Sequence, residues 1–430
     1  MLFYSTQNKE NRSPIKEAVL KGLADDNGLY MPEFIPLLPA SFINHLSEYS
    51  LPQIGYAVLK NFFCPEISEA ALKSIVEEVF DFPIPVKQVT DQISVLELFH
   101  GPTMAFKDVG ARFLARVLSQ FTKGVEKEIT VLVATSGDTG SAVANGFLDV
   151  PGIRVVVLYP KGMVSEVQEK QFTTLGKNIT AIEVDGTFDD CQAMVKEAFL
   201  DKTLRSEIIL TSANSINLAR LLPQAVYYFH AFAQIAKEQQ QDTVIAVPSG
   251  NFGNLAAGIL SKSMGLPVQS FIAATNVNDV VPQYLKSGKL EPRPSVSTVA
   301  NAMDVGNPSN FVRIQQLFNN NWSEISQSIT GLAYTDKQIR ATIKRVFAAT
   351  GYILDPHGAT AFSGLEQRLG KGEKGLFLAT AHPAKFPEVV EQEIGVRLEI
   401  PHNLVKFQSG RKQTVEMHAS SNQLKNYLLT

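Results

Sequence analysis

Cysteine is scarce: Cys64 and Cys191 are the only two in 430 residues. They have no redox or metal spacing, which excludes a disulfide framework and suits a reducing cytosol. Charge of one sign is also missing. Lys and Arg number 39 against 42 Asp and Glu, for a formal charge of −3. With no long basic block, a nucleic-acid or membrane-surface partner has no electrostatic support. Long apolar runs are absent: "AVYYFHAFAQIA", from 225, falls well short of the ~20 residues that cross a bilayer. The opening "MLFYSTQNKENR" lacks the apolar core of a secretory signal, so a cytoplasmic location is expected. The seven histidines show no ligand spacing, so no metal is expected.

What is present is a globular chain. Hydrophobic residues make up 45% and charged residues 19%, enough to build a large core in two or three domains. "SPIKEAVLKG", 13–22, predicts a helix with Ser13 as N-cap, Pro14 in the first turn and Gly22 as stop. The proline-dotted "LYMPEFIPLLP" that follows is expected to run over a surface, and "ISEAALKSIVEEVF" (67–80) to form an amphipathic helix. Residues 1–85 carry no visible chemistry and are read as a packing extension.

From about residue 90, β-branched runs alternate with helical stretches. "ITVLVA" (129–134), "IRVVVLY" (153–159), "ITAIEV" (179–184), "TVIAVP" (243–248) and "GLFLAT" (375–380) each precede a helix. Strands without polar alternation predict parallel sheets covered on both faces, an α/β fold with ligands at the carboxyl ends of the strands. A long helix at about 216–237 divides two groups of units. The expected lobes are 86–225 and 226–430, the second with a mostly helical insertion at about 290–350.

The chemistry is expected in loops after strands. "SGDTGS" (136–141) sets glycines and hydroxyls before a helix expected near Ser141, a turn suited to a carboxylate or phosphate, or simply a capped helix. "SGNFGN" (249–254) is a second cradle. There Gly250 and Gly253 allow close approach, and Asn251 and Asn254 tolerate a left-handed backbone. No Gly-Lys-Ser/Thr follows, and the three-glycine dinucleotide spacing is missing. "GPTMAFKDVGARF" (101–113) holds Lys107 among small and apolar neighbours. Burial disfavours ammonium and so frees an amine to attack a carbonyl; the plain alternative is a lysine paired with Asp108. A sheltered lysine with a separate phosphate cradle points to pyridoxal 5'-phosphate.

Eight stretches, in order from residue 4 to about 388, carry a resemblance: "YSTQN", "GLADDNGLYMPE", "LFHGPTMAFKDVGARF", "ATSGDTGSA", "GTFDDCQAMVK", "SANSINLAR", "SGNFGN" and "ATAHPAKFPE". The chain resembles the threonine synthase family, in the branch with a long N-terminal extension. The resemblance implies a fold-type-II pyridoxal-phosphate lyase, tryptophan synthase β-like, with two three-layer α/β lobes. It implies conversion of O-phospho-L-homoserine and water to L-threonine and phosphate, and a monomer more than a dimer. Lys107 matches the Schiff-base lysine, preceded by Phe106. Gly250, Asn251, Phe252, Gly253 and Asn254 match the coenzyme-phosphate loop, and Thr380 the hydroxyl at the pyridine nitrogen. Ser136, Gly137 and Thr139 match the loop for the substrate carboxylate. Asn214, Ser215 and Arg220 match residues at the substrate phosphate. Asp138 falls near the ring hydroxyl of the coenzyme, where many fold-type-II relatives carry Asn. The alternatives are a threonine/serine dehydratase or sulfhydrylase of the same fold, or a non-catalytic binder of phosphorylated ligands. His100 is read as a structural or loop residue, His357 as at most a support for the site, and His382 is noted only as lying close to Thr380 in sequence; Lys385 is read as either phosphate-binding or surface, and Cys191 as a core residue.

Overall fold

The structure, a computed structural model, describes residues 1–124 and 127–430. β1 (Leu2–Ser5), β2 (Arg12–Pro14) and β3 (Tyr30–Pro32) form a small antiparallel sheet in the order β2-β1-β3. The segment expected to run over a surface thus supplies a strand, and Tyr30, Met31 and Pro32 are buried. Pro14 and Pro32 sit at strand ends, where the missing N–H costs no central ladder bond. Ser13 lies in β2 and caps nothing. The helix Ile15–Lys21 starts after Pro14 and stops at Gly22, whose φ of 72° is accessible to glycine.

β4 (Val86–Gln88) and β5 (Ile93–Glu97) come next, followed by β6 (Ile129–Ala134), β7 (Ile153–Pro160), β8 (Ile179–Asp185) and β9 (Ile209–Ser212). β10 (Thr243–Pro248), β11 (Ser270–Thr275), β12 (Ile329–Ala333), β13 (Lys374–Ala379) and β14 (Val415–His418) follow. One sheet has the order β14-β8-β7-β6-β9, the other β12-β11-β10-β13-β5-β4. All pairs in these two sheets are parallel except β4 with β5.

The sheets do not follow the expected division by chain order. β4 and β5 join the sheet built mainly from 243–379, and β14 returns to the sheet built from 129–212. The stretch at 290–350 is also not a plain insertion, since β12 pairs with β11. Short edge strands carry little sequence signal, because their place is set by the neighbour they meet. The long helix expected at 216–237 is broken into Leu218–Leu221, a tight turn Leu222–Gln224 and Ala225–Gln234. Pro223 removes a helical donor there.

Apolar alternation splits the core. Val131, Val133, Val155 and Val157 face one cluster, which Ile245 and Val247 of the other sheet also enter. Leu132, Ala134, Val156 and Leu158 face a second cluster, and Val244 and Ala246 a third. Each fully buried side chain of this kind contributes ~1.5–3 kcal/mol. The shared cluster, with helices Lys107–Phe121 and Gly253–Ser263 running through it, holds the two sheets against each other. Their carboxyl ends therefore meet at one cleft.

Candidate active site

The cleft is lined by residues from the loops after β5, β6, β9, β10 and β13, together with Phe188, His357 and the segment Asn301–Val305. Of the fifteen expected site residues, thirteen line it: Phe106, Lys107, Ser136, Thr139, Asn214, Ser215, Arg220, Gly250, Asn251, Phe252, Gly253, Asn254 and Thr380. Gly137 and Asp138 lie behind the lining. The loop before Lys107 is stitched to the loop after β13. Phe106 N–H donates to Thr380 O (2.8 Å), His382 N–H to Met104 O (3.1 Å), and Ala105 bridges Ala381. The Tyr227 hydroxyl donates to Phe106 O at 2.5 Å.

Lys107 opens the helix Lys107–Phe121, and a helix N-terminus is a poor place for a cation. Burial is the main cause that brings its pKa down to about 8. Arg220 and Lys385 push the same way, and Asp138 opposes them. Asp108 is not its partner. That carboxylate accepts from Thr103 N–H (2.9 Å) and from the Thr103 hydroxyl (2.5 Å). At pH 7 the shift leaves roughly 300-fold more free amine than an ordinary lysine has.

The phosphate-type cradle at 249–254 differs in detail from the expectation. Phe252, not an asparagine, takes the left-handed backbone, with φ 62°, a conformation that costs a bulky residue about 1–3 kcal/mol and gathers at ligand sites. Gly250 and Gly253 have ordinary φ. Gly250 is required for space: a Cβ there would stand 2.8 Å from Ala302 O and from Met303 Cα. None of the backbone N–H groups of residues 250–255 meets an acceptor among the described residues. Asn254 spends its carbonyl oxygens on the Tyr228 hydroxyl and leaves Nδ2 buried and unpartnered.

The loop at 136–141 is partly self-satisfied. The helix begins at Asp138, not near Ser141, with Gly137 before it at φ 136°. Thr135 Oγ1 accepts from Gly137 N–H (2.9 Å) and Gly140 N–H (2.7 Å). Ser136, Asp138 and Thr139 keep free N–H groups among the described residues. Asp138 is buried and paired with Lys385 at 2.6 Å, while Gln168 Nε2 donates to it at 2.8 Å. Burial raises its pKa, but the charges of Lys385 and Lys107 outweigh that and hold the carboxyl well below the usual range. Lys385 is fully buried, so the surface reading is corrected: the loop after β13 folds it inward to meet this carboxylate.

Arg220 is 3% exposed. It donates to Ala213 O and leaves Nε buried without a partner among the described residues. Burial brings its pKa down to about 10. Ser215 accepts from Asn310 Nδ2 at 2.9 Å. Arg313, fully buried, donates to Asn310 Oδ1 (2.6 Å), Ile216 O (2.6 Å), Ser215 O (3.2 Å) and Tyr30 O (3.2 Å). The N-terminal sheet therefore backs the loop at 214–216 through Arg313, a role beyond packing.

Several lining residues were not among those expected at the site: Phe188, Gln224 and the segment Asn301–Val305. His357 also lines the cleft. Its Nδ1 meets Asp355 Oδ2 at 2.6 Å, and its Nε2 accepts from Ala302 N–H at 3.2 Å. A polar residue spaced four from Arg220 was the available signal for Gln224, whose amide donates to Arg220 O at 2.7 Å. Asn214 Oδ1, Gln224 Oε1 and Asn301 Oδ1 join Arg220 Nε and Asn254 Nδ2 as buried atoms without a partner among the described residues. Such atoms are costly unless a ligand completes them. Two of them, Arg220 Nε and Asn254 Nδ2, are donors; with the free N–H groups of residues 250–255 and the Lys107 amine in the same cleft, they fit a phosphorylated aldehyde coenzyme and a second anionic group.

A fold of two parallel sheets that meet around a lysine, a glycine cradle and Thr380 defines a pyridoxal-phosphate enzyme of fold type II. Residues 54–381 match the family described as pyridoxal-phosphate dependent enzyme. Residues 2–80 match "Threonine synthase N terminus" and 358–428 "Threonine synthase, C-terminal". The chain is 46% identical to threonine synthase of Haemophilus influenzae, over 100% of both chains. It superposes on the crystal structure of threonine synthase from Escherichia coli with TM-score 0.95 and 42% identity, covering 100% of this chain and 99% of that one. The pyridoxal-phosphate-bound threonine synthase from Brucella melitensis gives TM-score 0.92 at 33% identity, over 100% and 99%. The chain belongs to the threonine synthase family.

Proposed function

We propose that this chain converts O-phospho-L-homoserine and water to L-threonine and phosphate. The observation that carries the reading is one cleft that holds Lys107 and two separate anion-type sites, the free N–H groups of residues 250–255 and an Arg220 Nε without a partner among the described residues. The coenzyme, when bound, supplies the electron sink that lets a proton leave the substrate's α-carbon. The chain's own residues do the rest. Lys107 Nζ would hold the coenzyme by its aldehyde, and as an amine whose pKa lies close to neutrality it can take and return the substrate's proton. Residues 250–254 would hold the coenzyme phosphate, and Thr380 would offer the ring nitrogen a neutral hydroxyl. The N–H groups of Ser136 and Thr139 receive the substrate carboxylate at a helix N-terminus. Arg220, with Asn214 and Ser215, holds the substrate phosphate through charge-assisted bonds. The chain works as a cytoplasmic monomer in this reading. The buried Cys191, whose thiol burial pushes up to about 12, and the half-buried free Cys64 support a reducing compartment.

Purified protein loaded with coenzyme should release phosphate from O-phosphohomoserine and yield threonine in equal amount. Threonine and serine, offered as substrates, separate this reading from a dehydratase. Lys107→Ala should lower turnover at least ~10³-fold. A variant with near-normal turnover removes Lys107 from the mechanism.

A further inference from the structure

Two lysines compete for one carboxylate at the base of the cleft. Lys385 Nζ stands 2.6 Å from Asp138 Oδ1, with 0% and 3% of the two side chains exposed. The same ammonium donates to Thr103 O at 2.9 Å. Lys385 comes from the turn Pro383–Lys385 after β13, and Asp138 from the helix after β6. The pair therefore joins the carboxyl ends of the two large sheets. Lys107 has no carboxylate within ion-pair distance among the described residues, yet it feels the charge of Asp138.

Burying an ion pair costs several kcal/mol per ion, and attraction rarely repays it, so stability alone does not explain the pair. Its position does. Were Lys385 absent, Asp138 would be a buried carboxylate whose next cation is Lys107. A Lys107–Asp138 pair would hold the proton on the amine and tie up the electron pair that must attack an aldehyde. We propose that Lys385 is a positioning residue: it keeps Asp138 occupied, so that a larger share of Lys107 is the uncharged nucleophile.

The other groups around Lys107 do not replace it. Arg220 is committed to Ala213 O, and Asp108 to Thr103. The Tyr227 hydroxyl is on Phe106 O. Asp304 and His357 belong to other walls of the cleft, with Asp304 bonded to Thr298 and Asn276 and His357 to Asp355. Removing Lys385 takes away one cation that lowers the Lys107 pKa and frees the anion that raises it. Both changes have the same sign.

The inference rests on Lys107 being the coenzyme lysine, and the test reads the amine directly. The apoenzyme is methylated with formaldehyde and cyanoborohydride across a pH series, and the peptide bearing Lys107 is quantified by mass spectrometry. The expected wild-type midpoint is about 8. Lys385→Met should raise it by about one pH unit or more and slow coenzyme uptake at pH 7 about tenfold. Asp138→Asn added to Lys385→Met should bring the midpoint back to the wild-type value or below. Asp138→Asn alone, which keeps Lys385 should the Met variant fold poorly, should lower the midpoint. An unmoved midpoint in Lys385→Met and in Asp138→Asn overturns the proposal. Borohydride-trapped coenzyme mapping to a lysine other than Lys107 overturns instead the reading on which it rests.

Discussion

The two glycine loops read alike: each follows a parallel strand, opens a helix and places Ser-Gly ahead of an Asp or Asn. They differ in how much of their polar backbone is already used. At 136–141, Thr135 Oγ1 takes two N–H groups, leaving those of Ser136, Asp138 and Thr139. At 249–254 no side chain takes any of them, and the free run extends from Gly250 to Leu255. Three donors match the two oxygens of a carboxylate. Six match a phosphate, whose three terminal oxygens each accept more than once. The number of donors left free, and not glycine content, separates the two loops and is what the proposed division of tasks rests on. The loops also fix their shapes differently. The first uses a glycine at a φ that other residues avoid, the second a strained Phe252 and a glycine needed for space.

The largest test of this contrast is Gly250→Ala. Its Cβ would meet backbone of the segment at 302–303, which has no flexible end to move aside. The cradle must shift, and coenzyme affinity should fall at least ~100-fold, about 2.7 kcal/mol. Titration of the apoenzyme with pyridoxal 5'-phosphate, followed by fluorescence, measures it. Affinity within a factor of three of wild type would mean the phosphate sits elsewhere.

Gly137→Ala comes next and should fall on the other ligand. Its φ of 136° is closed to alanine, and a Cβ would stand 2.6 Å from Gln168 Cδ, the side chain that holds Asp138. The strain is about 1–3 kcal/mol, so kcat/KM for the phosphorylated substrate should drop ~10–100-fold while coenzyme affinity stays nearly constant. Equal losses in both would dissolve the division of labour between the loops.

How much of this was legible beforehand follows the range of the interactions. β6 and β10 have the bounds read from their sequences, Ile129–Ala134 and Thr243–Pro248, because an unbroken β-branched run buried on both faces is a local signal. The helix Phe188–Leu200 was equally plain, with Thr187 and Asp190 forming its capping box. The edge strands β3, β12 and β14 were not, since each depends on a partner far along the chain. Within the cleft, residues attached to glycine loops were visible. Asn301 was not, because its segment becomes a wall only when His357 Nε2 accepts from Ala302 N–H, a contact across 55 positions. The Asp138–Lys385 pair spans a longer gap still and has no local pattern at all.

The smallest effect should come from Thr135→Val, which keeps the shape of a fully buried side chain and deletes one oxygen. Gly137 and Gly140 would each lose their acceptor, and an unmade buried hydrogen bond costs ~1–3 kcal/mol. Water or a bound carboxylate can recover part of that at Gly137, but Gly140 packs against Thr135 and Val157. The apoenzyme should therefore melt about 2–4 °C lower, with KM for the substrate changed more than coenzyme affinity. If the loop were only a capped helix start, the melting shift would appear without any change in KM. If it receives the substrate, the released N–H groups compete for the carboxylate, and KM moves together with stability.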